Sequence, residues 1–145
     1  MSTDDNKRIV RRFYDEVMSG GNVDVLAEVM DENFVDHGEA LFDSPQGREN
    51  LRQGVVAAQG TLPNLDVYLE DIMAEGDLVG VRGTMRCTHQ GTFLGVPGTG
   101  HELSWKGLAM FRIAHGKIAE RWFNSDSVSI VRQLGLATAR MPSEG

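Results

Sequence analysis

The sequence predicts an α+β domain in which helices come first and pack on one face of a single sheet. Two patterns carry this prediction. Over the first 60 residues apolar side chains recur at three-to-four spacing, the period of amphipathic helices. From Leu65 onward, long strand-like stretches alternate with short Gly-containing turns, which join antiparallel neighbours.

Ser2 or Thr3 can cap a first helix whose stripe is Ile9, Val10, Phe13, Tyr14, Val17 and Met18, and Gly20-Gly21 stops it. Asn22 caps a shorter helix with Val25, Leu26, Val29 and Met30 on one side, and the stretch from Asn33 to His37 reads as a brief strand. A third helix is expected from Ser44-Pro45, where Pro is tolerated in the first turn, through Leu51, Val55 and Val56 toward Gly60. Four long strands follow: Leu65 to Ala74, Leu78 to Gln90, Leu103 to Ala114, and Lys117 to Ser125. Their connections are Glu75-Gly76-Asp77, the Gly-rich stretch Gly95 to Gly100, and the turn His115-Gly116-Lys117. A short apolar helix begins near Val128. One domain is expected over 1–135, with a small, polar tail over 136–145, and there is no internal repeat or low-complexity segment.

At 145 residues the chain is long enough to bury roughly 70% of the surface its unfolded form exposes, so neither disulfide nor structural metal is required. Its net charge of -7 lacks the Lys and Arg excess that nucleic acid or an anionic membrane demands, which points to a small molecule or another protein as partner. Cys87, the single cysteine, can form no intrachain disulfide and reads as a small buried apolar residue. The first residues are charged rather than an apolar leader, and a cytoplasmic protein is expected. The strands carry apolar side chains at both parities. Trp105, Ala109, Phe111 and Ile113 fall on one face and Leu108 and Met110 on the other, while Ile118 and Trp122 oppose Ala119 and Phe123. Three helices cannot cover two faces, so the second is expected to pack on another copy in a homodimer.

Asp126 is the leading catalytic candidate. A carboxylate where a strand gives way to a short helix can sit at a cavity edge, partly desolvated, with a pKa raised toward the range useful for proton transfer. Ser125, Asp126 and Ser127 also precede the periodic Val128, Ile130, Val131 and Leu134, so Asp126 reads equally as a helix N-cap. His89, in T-H-Q-G, can bond a substrate carbonyl or orient Asp126, or can be a histidine satisfied within a turn. Tyr14 lies on the first helix's apolar stripe, with a hydroxyl able to reach a cavity. Trp105 and Trp122 are either walls for a flat substrate or core aromatics. Asn124 and Glu120 share strand parity with Asp126; Glu120 is expected to be solvated or salt-bridged. Asp36 and His37 read as polar residues at a surface strand end, with His37 a candidate for lining the pocket.

Five segments in order, I-V-R-R-F-Y-D-E-V with G-G-N-V-D-V-L, N-F-V-D-H, T-H-Q-G-T-F-L-G-V-P-G-T-G, F-R-I-A-H-G-K-I, and W-F-N-S-D…R-Q-L-G, resemble the SnoaL-like polyketide cyclases over nearly all of residues 6–135. These belong to the cone-fold superfamily that includes nuclear transport factor two, ketosteroid isomerase and scytalone dehydratase. The resemblance implies a cone-shaped barrel, with three N-terminal helices on a curved, mixed but mainly antiparallel, six-strand-like sheet enclosing an apolar pocket, and no metal or organic cofactor. It implies that Asp126, at the W-x-x-x-D position, serves as general base and then general acid in the intramolecular aldol ring closure of an aromatic polyketide ester; His89, by its position beside the Gly-rich loop, is the second catalytic candidate. Tyr14, His37, Trp105, Trp122 and Asn124 would bind the substrate, and Asp36 resembles the general-base position of ketosteroid isomerase. The strand G-L-A-M-F-R places Ala109 where that isomerase has an oxyanion-hole acid, so isomerase chemistry of that type is disfavoured and any oxyanion partner must come from elsewhere. A hydroxylation component, a dehydratase or hydrolase, and a non-catalytic binder of small apolar molecules are the alternatives on this fold.

The sequence contains no P-loop, no G-x-G-x-x-G before a helix and no multi-cysteine site. The purified protein is therefore expected to contain no stoichiometric metal, flavin or nicotinamide, to be checked by elemental analysis and an absorbance spectrum; stoichiometric zinc or a flavin band would contradict it.

Overall fold

The chain opens on a reciprocal cap. In the computed structural model, which describes residues 2–38 and 44–136, Asp5 N donates to the Ser2 hydroxyl at 3.1 Å and Ser2 N donates to the Asp5 carboxylate. Helix α1 (Thr3–Arg12) starts there and does not end at Arg12. It passes into a π-helix, Phe13–Ser19, which carries Phe13 and Val17 into the core, and Gly21 turns the chain away at φ 71°. Asn22 makes no side-chain cap; a 3-10 turn at Val23–Val25 leads into α2 (Leu26–Val29) and directly into β1 (Met30–Asp36).

Helix α3 (Arg48–Thr61) begins later than Ser44-Pro45. The preceding residues are committed to β1: Asp36 N donates to Gln46 Oε1, Gln46 Nε2 donates to Asp36 O, and Gly47 N donates to Phe34 O at 2.8 Å. Gly47 then adopts φ 82°, a left-handed conformation that no α-helix can include.

Among the described residues the sheet has five strands, β1, β2 (Asp66–Glu75), β3 (Leu78–Thr88), β4 (Glu102–Ala114) and β5 (Lys117–Ser125), in the order β1-β5-β4-β3-β2. β2 to β5 form an antiparallel meander, while β1 pairs parallel with β5, so the sheet is mixed. Helix α4 (Ser127–Gln133) follows β5. The expected tail falls almost wholly on residues 137–145, outside the described residues.

A bulge decides what β5 presents to each side. Ile113 pairs with Ile118, but Arg112 pairs with Glu120, so Ala119 is an extra residue and the alternation reverses. Ile118 is therefore buried in the core while Trp122 lies on the opposite face, and Phe123, expected outside with Leu108 and Met110, turns inward to line the cavity. The outer face keeps exposed Tyr68, Met73, Leu108 and Met110.

The inner face holds two apolar clusters. The larger packs Val10, Phe13, Val17, Leu26, Met30 and Phe34 against Val79, Phe111, Ile113 and Ile118. The smaller gathers Cys87, Phe93, Leu103 and Trp105 beneath Ile130 and Leu134, and burial pushes the Cys87 thiol up to about 11.

Phe111 meets Phe13 at 5.9 Å and Tyr14 at 5.7 Å edge-on, fully buried. Phe111→Ala is expected to cost about 3–5 kcal/mol in urea unfolding; a loss below about 1 kcal/mol would show that this cluster does not carry the fold.

Candidate functional site

Between the two clusters the inner face is hollow. Gly83 and Gly107 stand opposite each other in register, flanked by the pairs Val81–Ala109 and Met85–Trp105, so the middle of the sheet lacks two side chains. A Cβ on Gly83 would come within 3.0 Å of the Tyr68 carbonyl oxygen, so this bareness is built into the β2–β3 pairing. Over it lies a cavity of about 910 Å³, within the range that holds a drug-sized molecule. Leu51, Val55, Ala58 and Leu62 of α3 and its C-terminal end form one wall, Phe93 and Trp105 another. Phe93 and Trp105 are nearly parallel, with ring centroids 6.4 Å apart.

The rim is tied at two points. Val67 N donates to Ser19 Oγ at 2.9 Å, joining the end of the π-helix to the start of β2, and Gln59 Nε2 donates to Gly21 O at 3.2 Å, joining α3 to the same corner. Both Ser19 and Gln59 line the cavity.

Among the described lining residues, Arg121 alone carries a formal charge. Its Nη2 donates to Asp36 Oδ2 across the parallel β1–β5 junction, where Asp36 and Arg121 are register partners. The Asp36 side chain is fully buried and that of Arg121 is 11% exposed. Gly38 N donates to Asp36 Oδ1 at 2.9 Å, so the carboxylate is held from two sides. The guanidinium also lies 4.6 Å from the Phe123 ring centroid. Asp36 is thus not a surface strand end, as its sequence context suggested. Its backbone is fixed by Gln46 and its side chain by Arg121.

Tyr14 lines the cavity from the π-helix, and among the described residues no group hydrogen-bonds its hydroxyl. Burial pushes its pKa up to about 12 against the opposing pull of the Arg121 charge, so the phenol is a neutral hydrogen-bond donor at physiological pH.

The cavity brings together two of the residues singled out from sequence, Tyr14 and Trp105, with Ser125 at the end of β5; Asn124 borders it but is exposed and register-paired with the outward Leu108. Asp126 follows Ser125 but is exposed: its Oδ1 accepts from Ser129 N at 3.1 Å, capping α4, and its own N donates to Lys106 O. Its second oxygen, Oδ2, receives no hydrogen bond among the described residues.

His89 is buried and lies outside the lining. Its Nε2 faces the Val96 carbonyl at 3.1 Å and its Nδ1 the Thr99 hydroxyl at 3.0 Å, while its ring meets Phe93 edge-on. A carbonyl accepts only, so Nε2 donates to Val96 O. His89 organises the loop that carries Phe93.

His37 and Trp122 lie on the outer face, away from the cavity. Their rings stack at 4.7 Å and 5°, and His37 Nε2 meets Glu120 Oε2 at 2.8 Å. Glu120 also accepts from Arg112 Nε at 3.1 Å; the His37 contact and then the Arg112 charge hold its carboxyl below the ordinary range. Glu120 is salt-bridged, as its sequence context suggested.

Arg121 was not legible as a site residue. Strict alternation from the inward Ile118 places it outside, and only the bulge at Ala119 turns it in.

The geometry can be set beside known proteins. The structure superimposes on a protein of Jannaschia sp. CCS1, provisionally designated a SnoaL-like polyketide cyclase, with a TM-score of 0.82 and 25% identity, covering 93% of this chain and 94% of that one. It is also similar to IdmH of Streptomyces antibioticus, provisionally designated a polyketide cyclase, with a TM-score of 0.76, 31% identity, and coverage of 90% and 98%. AclR of Streptomyces galilaeus, provisionally designated a hydroxylase, shares the fold with a TM-score of 0.82 at 23% identity, covering 97% of this chain and 91% of that one. A comparison with curated proteins finds no match. Residues 8–134 match the family described as SnoaL-like polyketide cyclase, nearly the whole of the described fold, and the chain belongs to that family.

Proposed function

We propose that the protein is a cofactor-independent acid–base enzyme that closes a ring in an aromatic polyketide ester by intramolecular aldol condensation. The observation that carries this reading is the apolar cavity of about 910 Å³, with Trp105 and Phe93 as near-parallel walls and Tyr14 as a donor whose hydroxyl has no partner among the described residues. Such a cavity suits a flat, conjugated molecule with few polar atoms, and holding it folded brings its two reacting carbons together.

In this reading Asp126 takes a proton from the activated methylene between two carbonyls. The C–H electron pair passes into an enolate, the enolate carbon attacks a ketone carbon of the same molecule, and the resulting alkoxide recovers the proton from Asp126 as a hydroxyl. Tyr14 donates to a substrate carbonyl throughout. Capping and proton transfer are compatible, because a carboxylate has two oxygens and the cap engages Oδ1 only.

A second reading, binding without chemistry, is favoured by one observation: the described lining side chains include no carboxylate and no imidazole. Asp126→Asn separates the two. Asn is about as good an N-cap as Asp, so thermal stability should persist, while kcat on a tricyclic aromatic β-keto ester should fall roughly 100-fold to 10,000-fold. Turnover within a few-fold of the unsubstituted enzyme would remove Asp126 as proton carrier.

The exposed Tyr68, Met73, Leu108 and Met110 on the outer face support a homodimer through the sheet. Light scattering at micromolar concentration is expected to give about twice the chain mass, and Leu108→Asp/Met110→Asp to return it to the monomer value; a monomeric unsubstituted protein would overturn this.

A further inference from the structure

The reaction proposed above builds negative charge on a carbonyl oxygen as the enolate forms, and the position that holds an acid for this purpose in ketosteroid isomerase is Ala109 here. We infer that Arg121, presented by Asp36, is the group that stabilises this oxyanion, so the cavity carries its electrostatic catalyst on β5.

Four observations meet at this residue. Arg121 is the single formal charge among the described lining residues, in a wall otherwise built of aliphatic, aromatic and small polar side chains. One edge of its guanidinium is spent on Asp36, through Nη2 to Oδ2 and a longer Nε to Oδ1 contact of 3.5 Å. Nη1 makes no hydrogen bond among the described residues and is not one of the buried unpartnered atoms, so its donors remain accessible on a residue that lines the cavity. The Phe123 ring at 4.6 Å lies under the guanidinium plane and, with Asp36, restricts how the group can turn. A preorganised donor of fixed charge in a water-poor cavity is what a developing oxyanion requires, since little reorganisation accompanies the reaction.

The paired carboxylate sets the character of this site. Asp36 is fully buried and does not line the cavity, so it touches no substrate and is a positioning residue that also cancels much of the guanidinium charge. The cavity is therefore near neutral as a whole while offering a local donor. It suits a neutral carbonyl in the ground state and a partial or full oxyanion at the transition state.

The inference rests on the cavity binding flat carbonyl compounds and is tested with 2-naphthol, a planar molecule whose ionised oxygen mimics an enolate and whose two forms differ in absorbance. Titration of the bound probe against pH, with full-length protein, reads how the site weighs naphtholate against naphthol. In the unsubstituted protein the bound probe should ionise at lower pH than in free solution, a preference of roughly tenfold for naphtholate, the low end of the effect of an adjacent opposite charge because Asp36 opposes it. Arg121→Gln should abolish the preference while binding neutral naphthol within a few-fold. Because this leaves the Asp36 carboxylate buried and alone, the paired variant Asp36→Asn/Arg121→Gln, which removes both charges, serves where the single one fails to fold. It should show the same loss.

Asp36→Asn alone should strengthen the preference for naphtholate, since the amide oxygen still accepts from Gly38 N, Arg121 Nη2 loses its acceptor and the charge is no longer opposed; a purely structural role would weaken it instead. Retention of the preference in the paired variant, or its absence in the unsubstituted protein that binds the probe, overturns the inference and leaves the proposed ring closure standing. Failure of 2-naphthol to bind at all overturns both.

Discussion

The bare centre of the concave sheet face is the constraint on which the rest of this structure depends. Gly83 and Gly107 sit opposite each other where neighbouring pairs supply Val81, Met85, Trp105 and Ala109. With no side chains to bridge the middle, the apolar interior divides into a cluster under α1 and the π-helix and a second under α4 and the loop around Phe93. Interiors are normally packed to crystal density, so a void of about 910 Å³ persists only because its rim is held apart by other contacts. The Ser19–Val67 and Gln59–Gly21 hydrogen bonds brace the rim on one side. His89, bonded to Val96 and Thr99, braces the loop that carries Phe93 on the other.

The buried pair of Asp36 and Arg121 is the second organising element. Two charges taken out of water cost several kcal/mol each, and their attraction repays this only with good geometry and satisfied neighbours. Gly38 N satisfies the carboxylate, the Gln46 side chain holds the Asp36 backbone, and the parallel register of β1 with β5 sets the two residues side by side. The same contacts fix the segment leading to α3 and so place the helix that covers the cavity. Fold and site are thereby linked through one ion pair.

On the far side of the sheet the polar residues form a separate system. Glu120 bridges His37 and Arg112, Arg112 reaches Asp77, and Trp122 stacks beneath His37 with the Arg112 guanidinium 5.8 Å from its ring. These contacts lie among exposed apolar side chains rather than in the cavity, which is why an aromatic and a histidine that looked like substrate-binding residues instead shape the outer face.

The sequence by itself determined the α+β class, the meander from Leu65, the inward stripe of β4 and the family, because periodicity and turn chemistry are local and the five segments occur in order. It also offered the helix cap as one of two readings of Asp126 and a salt bridge as one of two for Glu120. Only the tertiary structure decided which side chains reach the cavity. A single extra residue at Ala119 reverses the alternation of β5, sending Trp122 out and turning Arg121 and Phe123 in, and no local signal marks it. The start of α3 was likewise decided at a distance, by hydrogen bonds from Gln46 and Gly47 to β1. The burial of Asp36 came from a partner 85 residues away on β5. Contacts across such separations depend on how strands are paired and bulged, and a strand's period of two makes each of those choices all-or-none for the face a residue sees.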